Sequence, residues 1–228
     1  MLTNTEEIQQ CFKKMEEALK SAKRLVVLTH DNPDPDSVSS AVTLAYIVKN
    51  KFNIPAVVRY SGIVGRAENR AMIRVLGLRV TPLLDSDFKP GVEFALVDMQ
   101  PGTGNSSFPK KRKPAIVIDH HVLRKTTKAD FIDIRTEYGA TATIITEYLR
   151  AAGEEVNQKQ ATALLYGLKS DTLFLGREIS PADLDAFNFL YARANLSSLR
   201  RIEKPAIPLD ALRTFGQALL RLEVASGL

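Results

Sequence analysis

Three histidines occur in 228 residues, and each stands close to an aspartate. His30 opens the stretch HDNPDPDS, in which two prolines display Asp31, Asp34 and Asp36, and the pair His120–His121 directly follows Asp119 in VIDHHV. Imidazole is the commonest metal ligand, and it needs its second nitrogen held by a carboxylate or carbonyl, which Asp119 could supply directly or indirectly. Cys11 is the only cysteine, so thiolate clusters and internal disulfides are excluded and any metal must rest on imidazole and carboxylate. Pro35 biases Asp34 away from helical geometry, which sends the Asp34 and Asp36 side chains in diverging directions, each able to reach a different ion. A duller role stays open, with Asp36 or Ser37 capping the next helix and the other acids in solvent. Asp98 at the tip of FALVD and Asp171 in KSDTLFL extend the set, although Asp171 could equally be a helix-end or turn residue. Nitrogen and oxygen donors in this proportion suit Mn²⁺, Mg²⁺, Co²⁺, Fe²⁺ or Zn²⁺, and the richness in carboxylates tilts toward Mn²⁺. Asp31 has no place in the set beyond a local cap or outer acid.

Such residues need a frame that holds them at one edge. Short apolar runs at Leu25–Thr29, Ala56–Tyr60, Phe94–Val97, Ala115–Ile118 and Phe131–Ile134 read as buried strands. Helical patterns lie between or after them at Ser37–Lys49, Ala67–Leu76 and Ala140–Ala152, and the alternation predicts an α/β fold: a mostly parallel sheet with helices on both faces. Ligands of such sheets sit beyond the carboxyl ends of the strands, where His30, Asp98 and Asp119–His121 all fall. An amphipathic helix precedes the first strand. From Gln158 the pattern becomes wholly helical, with further helices near Ala182–Ala194 and Leu209–Val224 and a hinge at Pro205 and Pro208 between the last two, giving a helical C-terminal segment.

The motifs HDNPDPDS, VDMQ at 97–100, DHH at 119–121 and SDT at 170–172 follow the order and rough spacing of the four motifs of the DHH phosphoesterase superfamily, which this chain resembles. The resemblance implies two divalent cations, Mn²⁺ first, with Mg²⁺ or Co²⁺ as alternatives. It places one on His30, Asp34 and Asp98 and the other on Asp36, Asp98, His120 and Asp171. Asp98 would bridge them, His121 would face the substrate phosphate, and Asp119 would orient the two histidines from behind; His121 and Asp98 are thus the implied catalytic pair. The implied activity is a two-metal phosphoesterase (hydrolase; exonuclease or nucleotide phosphatase) acting on small nucleotides: short oligonucleotides, cyclic dinucleotides or 3′-phosphoadenosine phosphates. GRAENRA at 65–71 and YGATATIITEYL at 138–149 resemble the nano-RNase-like branch, and Arg66, Arg70 and Arg124 are candidates for substrate contact. An inorganic pyrophosphatase is the enzymatic alternative, and a non-catalytic nucleotide or nucleic-acid-binding module the rival of another class. Residues 1–195 read as the catalytic domain. Residues 196–228 read as linker and connector helix toward a C-terminal substrate-binding domain that is absent or truncated, since no GGGH-like stretch or later histidine follows His121.

A net charge of +5 and a pI near 9.3 favour an anionic partner. The densest basic run, Lys110–Lys113, is either a solvated loop leading into a strand or a phosphate-tracking patch. No apolar run approaches the ~20 residues of a membrane helix, and the N-terminus lacks the apolar core of a secretory signal, so the expected compartment is the cytoplasm, without a membrane partner. A homodimer is compatible with the composition.

Overall fold

The computed structural model describes residues 5–177, 179–206 and 209–222. The Val- and Leu-rich runs pair as one parallel sheet of six strands: β1 Arg24–Leu28, β2 Ala56–Tyr60, β3 Val80–Pro82, β4 Val92–Val97, β5 Ile116–Asp119 and β6 Phe131–Ile134, in the order β3-β2-β1-β4-β5-β6. The chain leaves β1 in one direction to build β2 and β3, then returns to β1's other side to build β4, β5 and β6. The order therefore reverses between β1 and β4, and a crevice opens where the connections leaving their carboxyl ends diverge. Val27 pairs with Val58 on one side and Ala95 on the other, so Leu28 and Leu96, and the residues just after them, finish side by side.

Strand residues alternate between two cores. Leu25, Val27, Ala95, Val97, Ile116 and Ile118 point into a large cluster roofed by the α-helices, while Val26, Leu28, Phe94, Leu96 and Val117 point into a smaller one with Met99 and Phe108. On the second face the helical cover is a single 3₁₀ turn, Asp85–Phe88, whose Phe88 stacks on Phe94, supplemented by the loop that carries Phe108. The first face carries α1 Thr5–Ala18, α2 Pro35–Phe52, α3 Ala67–Leu76, α4 Thr141–Ala151, α5 Gln158–Asp171, α6 Pro181–Tyr191 and α7 Leu196–Glu203. The last helix, α8 Leu209–Leu220, buries no residue. Of the helix expected at Leu209–Val224, the part beyond Leu222 lies outside the described residues, as does Pro208.

Besides the 3₁₀ turn, two elements have no counterpart in the sequence reading. β3 is three residues long, lies on the sheet edge and ends in Pro82, which an edge tolerates because one side needs no N–H donor. α7 occupies the start of the stretch read as linker, and it docks through Leu199 and Ile202.

Two helix starts decide where the site residues lie. Asp34 is the N-cap of α2, extended at φ −99°, ψ 179° as Pro35 demands, and its Oδ1 accepts the Ser37 N–H at 2.9 Å. α2 then packs against α5 at a glycine. A Cβ on Gly167 would stand 2.3 Å from Ser39 Oγ and 3.0 Å from both Asp36 Cα and Pro35 O. Glycine costs about 1 kcal/mol relative to alanine inside a helix, and here it permits the first turn of α2 to lie against the helix that carries Asp171.

Candidate metal centre

The eight residues singled out in the sequence meet at the carboxyl ends of β1, β4 and β5, at the crevice between β1 and β4. His30 follows β1. A carbonyl oxygen only accepts, so the 2.8 Å contact between His30 Nδ1 and Asp31 O fixes the proton on Nδ1 and leaves Nε2 as a lone pair. That nitrogen lies 3.6 Å from Asp34 Oδ1 and 3.7 Å from Asp98 Oδ2. His120 is held in the same way: Nδ1 donates to Tyr138 O at 3.1 Å, and Nε2 faces Asp171 Oδ2 at 3.3 Å and Asp98 Oδ1 at 3.6 Å.

Asp98 thus divides its two oxygens, one toward each histidine. It can do so because its backbone turns out of β4 with φ +60°, a left-handed conformation in which aspartate is among the more tolerated residues. Its N–H stays paired with Ile118 O at 2.9 Å, and Thr141 Oγ1 donates to Oδ1 at 2.9 Å. Asp36 is fully buried and accepts the Thr141 and Ala142 N–H groups, both at 2.7 Å. It is the carboxylate cap of α4, whose own N-cap Ala140 has no side chain able to serve. The free amides at the start of α4 are therefore satisfied from inside the protein.

Among the described residues, metal-capable atoms fall into three overlapping sets, each spanning no more than 4.8 Å: His30, Asp34 and Asp98; Asp36, His120 and Asp171; Asp98, His120 and His121. The electrostatics are those of a site short of positive charge. Burial, followed by the charge of Asp171, pushes the Asp36 carboxyl well up; burial and then Asp36, Asp34 and Asp171 do the same to Asp98. Burial alone would lower His120, but the carboxylates of Asp171, 3.3 Å from Nε2, and Asp36 outweigh that and lift it to about 9. At His30 burial is likewise outweighed by Asp34, and the pair moves apart, the histidine up and Asp34 down.

The fit to cations can be judged at His120. Its Nε2 is buried without a hydrogen-bond partner while aimed at two carboxylates. A lone pair facing carboxylates in a buried site is repulsive unless a cation or a proton lies between them, and the donor set of imidazole nitrogens and carboxylate oxygens suits first-row divalent ions. The residues present fit.

Asp119 and His121 sit on the flank. Asp119 Oδ1 accepts from the N–H groups of His120 (2.9 Å) and His121 (3.2 Å) and from His121 Nδ1 (2.8 Å). The His121 side chain is 61% exposed and turns its Nε2 away from Asp119. A cleft of about 520 Å³ adjoins the cluster, lined by His30, Asp34, Arg66, Asn69, Asp171 and Arg177 among others. Of the arginine candidates, Arg66 lines it; Arg70 instead donates to Val64 O and Gly65 O, and Arg124 lines a second depression beside His121. Arg177 was missed in the sequence, where nothing distinguishes it from other surface arginines. Asp31 stays outside the cluster, its N–H bonded to Asn105 O at 2.7 Å. The basic run lies at the amino end of β5, the end opposite His120: Lys113 pairs with Asp130, and Arg112 packs on Phe94 and donates to Val92 O.

A parallel α/β domain with two His–carboxylate groups sharing one aspartate at its switch point defines a class of candidate two-cation sites. The profile of the DHH family, N-terminal domain, matches residues 24–168, and the chain belongs to that family. An uncharacterized protein of Methanocaldococcus jannaschii is 35% identical over 223 residues, covering 96% of this chain and 45% of that protein. A probable manganese-dependent inorganic pyrophosphatase of Deinococcus radiodurans is 29% identical, with 87% of this chain and 64% of that one covered. The manganese-dependent inorganic pyrophosphatase of M. jannaschii is 31% identical, with 70% and 51% covered. The chain spans about half the length of these curated relatives. Among solved structures, an exopolyphosphatase-related protein from Bacteroides fragilis shares the fold at a TM-score of 0.70 and 15% identity, covering 95% of this chain and 66% of that one. A putative family II inorganic pyrophosphatase from M. jannaschii matches at a TM-score of 0.58 and 25% identity, covering 86% and 60%. No helix among the described residues is long and apolar enough to cross a membrane.

Proposed function

We propose that the chain is a divalent-metal-dependent phosphohydrolase. The observation that carries this reading is the division of Asp98 between His30 and His120, 3.7 and 3.6 Å from its two oxygens. His30, Asp34 and Asp98 would hold one cation and Asp36, Asp98, His120 and Asp171 the other, with Mn²⁺ the first choice on the donor set and on the names of the relatives. Bound there, two cations supply charge neutralisation for phosphoryl oxygens and acidify a water. The chain's own residues do the placing. The Asp31 and Tyr138 carbonyls set the imidazole tautomers, Thr141 Oγ1 holds Asp98, and the α4 amides hold Asp36. His121, its Nδ1 held by Asp119, would face the substrate phosphate with Nε2, which donates to a phosphate oxygen only when it carries a proton and is otherwise a proton acceptor, and Arg66 and Arg177 provide positive charge along the adjoining cleft. Asp36 accepts two amides, from Thr141 and Ala142, and the Ser40 hydroxyl, so it would contribute to its ion through the remaining directions of its oxygens.

For the substrate we favour small nucleotides, because a cleft of about 520 Å³ offers more room than a bare diphosphate fills. A second reading, hydrolysis of inorganic pyrophosphate, is favoured by the names of two relatives at 29 and 31% identity. The binding-module reading loses its main support, since two members of the basic run are engaged at the opposite end of the sheet. In the same proposal residues 1–195 form the catalytic unit and 196–228 lead away from it, a role that suits α8 with its exposed Leu212 and Phe215, while Leu199 and Ile202 tie α7 to the catalytic core. The test, with Mn²⁺, is mononucleotide release from a labelled dinucleotide and phosphate release from 3′-phosphoadenosine 5′-phosphate and from pyrophosphate, for the natural chain and for Asp98→Ala. Turnover of any of the three that vanishes in the variant supports the hydrolase, and preference for pyrophosphate would replace the nucleotide reading. Equal turnover by both proteins would exclude this centre as its source.

A further inference from the structure

Gln100 lies two residues beyond Asp98 and is 1% exposed. A carboxamide offers two hydrogens and two acceptor lone pairs, and here all four are engaged. Nε2 donates to Asp119 Oδ2 at 2.7 Å and to Val122 O at 3.1 Å, with His121 O at 3.5 Å; Oε1 accepts from Arg124 N at 2.9 Å and Thr127 Oγ1 at 2.7 Å. Its orientation is not interchangeable. Rotating the amide by 180° would set its NH₂ against the Arg124 N–H and its oxygen against the Asp119 carboxylate. A buried polar side chain satisfied at every position rigidifies what it touches, and what it touches is the whole turn from Asp119 to Thr127.

That turn carries His121, whose exposed ring is held by one hydrogen bond, from Nδ1 to Asp119 Oδ1. The other oxygen of Asp119 is held by Gln100. We propose that Gln100 is the positioning residue of the centre: through Asp119 it fixes the direction and tautomer of the His121 imidazole, and it clamps the His121 turn at the end of β4, the strand that Asp98 terminates. This rests on the phosphohydrolase reading. Gln100 reaches neither histidine ring itself and acts through Asp119 and the turn.

Two variants separate the parts. Gln100→Met keeps the length and removes every hydrogen bond. Gln100→Glu keeps the acceptor for Arg124 N and Thr127 but loses the donor to Asp119. Loss of an outer hydrogen-bonding partner of this kind costs about 10–100-fold. Both variants are expected to lower kcat by about that factor, with KM within about 3-fold and Mn²⁺ stoichiometry unchanged. In a His121→Ala background, Gln100→Met should add nothing further, because its route is already cut. Nitrogen-15 spectra of the natural chain should show His121 protonated at Nδ1, and both variants should lose that single tautomer. A full additional loss of kcat in the His121→Ala background, or an unchanged His121 spectrum in both variants, would overturn the positioning role. If Gln100→Met does not fold, Gln100→Glu and the spectrum still decide. Should the natural chain hydrolyse nothing, the functional reading fails while the spectrum continues to test the Gln100–Asp119–His121 linkage.

Discussion

Replacing Asp98 with Asn should move stability and metal binding in opposite directions. Asparagine accepts the left-handed backbone at φ +60° as readily as aspartate, and its Oδ1 can still take the Thr141 hydroxyl, so the fold need not adjust. What changes is one negative charge on a buried residue, where burial and four neighbouring aspartates push the Asp98 carboxyl up. In chelator the variant should therefore be more stable than the natural chain, and for a protein of this length each kcal/mol recovered reads as about 2–4 °C in Tm. With Mn²⁺ the order reverses. A ligand at 100 times its Kd stabilises the native state by about 2.7 kcal/mol per site, which converts to about 5–11 °C. Because Asp98 faces both histidines, the variant should lose that shift at both sites. Outer partners of metal ligands are worth about 10–100-fold, so a ligand shared by two ions should cost at least about 10³-fold in turnover at limiting metal. The assay is thermal unfolding in chelator and across an Mn²⁺ titration, with phosphate release alongside. Two Mn²⁺ bound at unchanged affinity, or a chelated variant clearly less stable than the natural chain, would refute the shared-ligand geometry.

Removing metal should also make stability pH-dependent in a defined sense. Against burial, Asp171 and Asp36 lift His120 from 6.5 to about 9, so its proton is held more tightly folded than unfolded; that contribution is complete below 6.5 and lost as pH rises through 9. Asp36 and Asp98, also raised, act in the same sense, so Tm in chelator should fall between pH 6.5 and 9 while the Mn²⁺-saturated protein stays level; a rise in chelator would contradict the charge arrangement. Gly167→Ala should destabilise by about 1–3 kcal/mol despite its better helix propensity and should weaken Mn²⁺ binding, since the added methyl meets Ser39, Asp36 and Pro35; calorimetry showing natural affinity would mean that α2 yields without moving its acids. Asp183→Ala should cost about 3–5 kcal/mol in denaturant unfolding, because it strands the Gly139 N–H, the Thr143 hydroxyl and both donors of Ser180; a loss under about 1 kcal/mol would show that solvent reaches those groups.

The centre was legible in the sequence because its residues sit where an uninterrupted apolar run meets a polar one. His30 after LVVLT, Asp98 after FALV and Asp119 after IVI each mark the end of a strand whose length and composition leave little choice of structure. The Pro35 rule placed Asp34 in extended geometry, as found. It did not say which aspartate would cap α2: that is Asp34, while Asp36 caps α4, a contact that spans 105 residues and has no local signature. In the sequence Gln100 is only the last letter of VDMQ, since a lone glutamine has no chemical signature until its four partners assemble around it. Asp183 could be read as the N3 residue of the SPAD helix start, but its grip on Gly139 is tertiary. β3 and α7 were missed for opposite reasons. β3 is too short and exposed for an apolar pattern to form, and the few apolar positions of α7 are diluted by serine and arginine beside a proline-bearing stretch.

In the proposed ligand set Asp36 serves twice, which would tie the occupancy of the centre to the backbone of a distant helix. Among the described residues its oxygens are the only side-chain cap on α4, and α4 carries Tyr148 and Leu149 into the core against α1. Any cation drawing on those oxygens competes with the Thr141 and Ala142 amides for the same electron density. Filling or emptying the centre should therefore be felt as a change in the hydrogen exchange of those two amides, so that the first turn of α4 serves as an internal gauge of metal loading, readable without substrate or turnover.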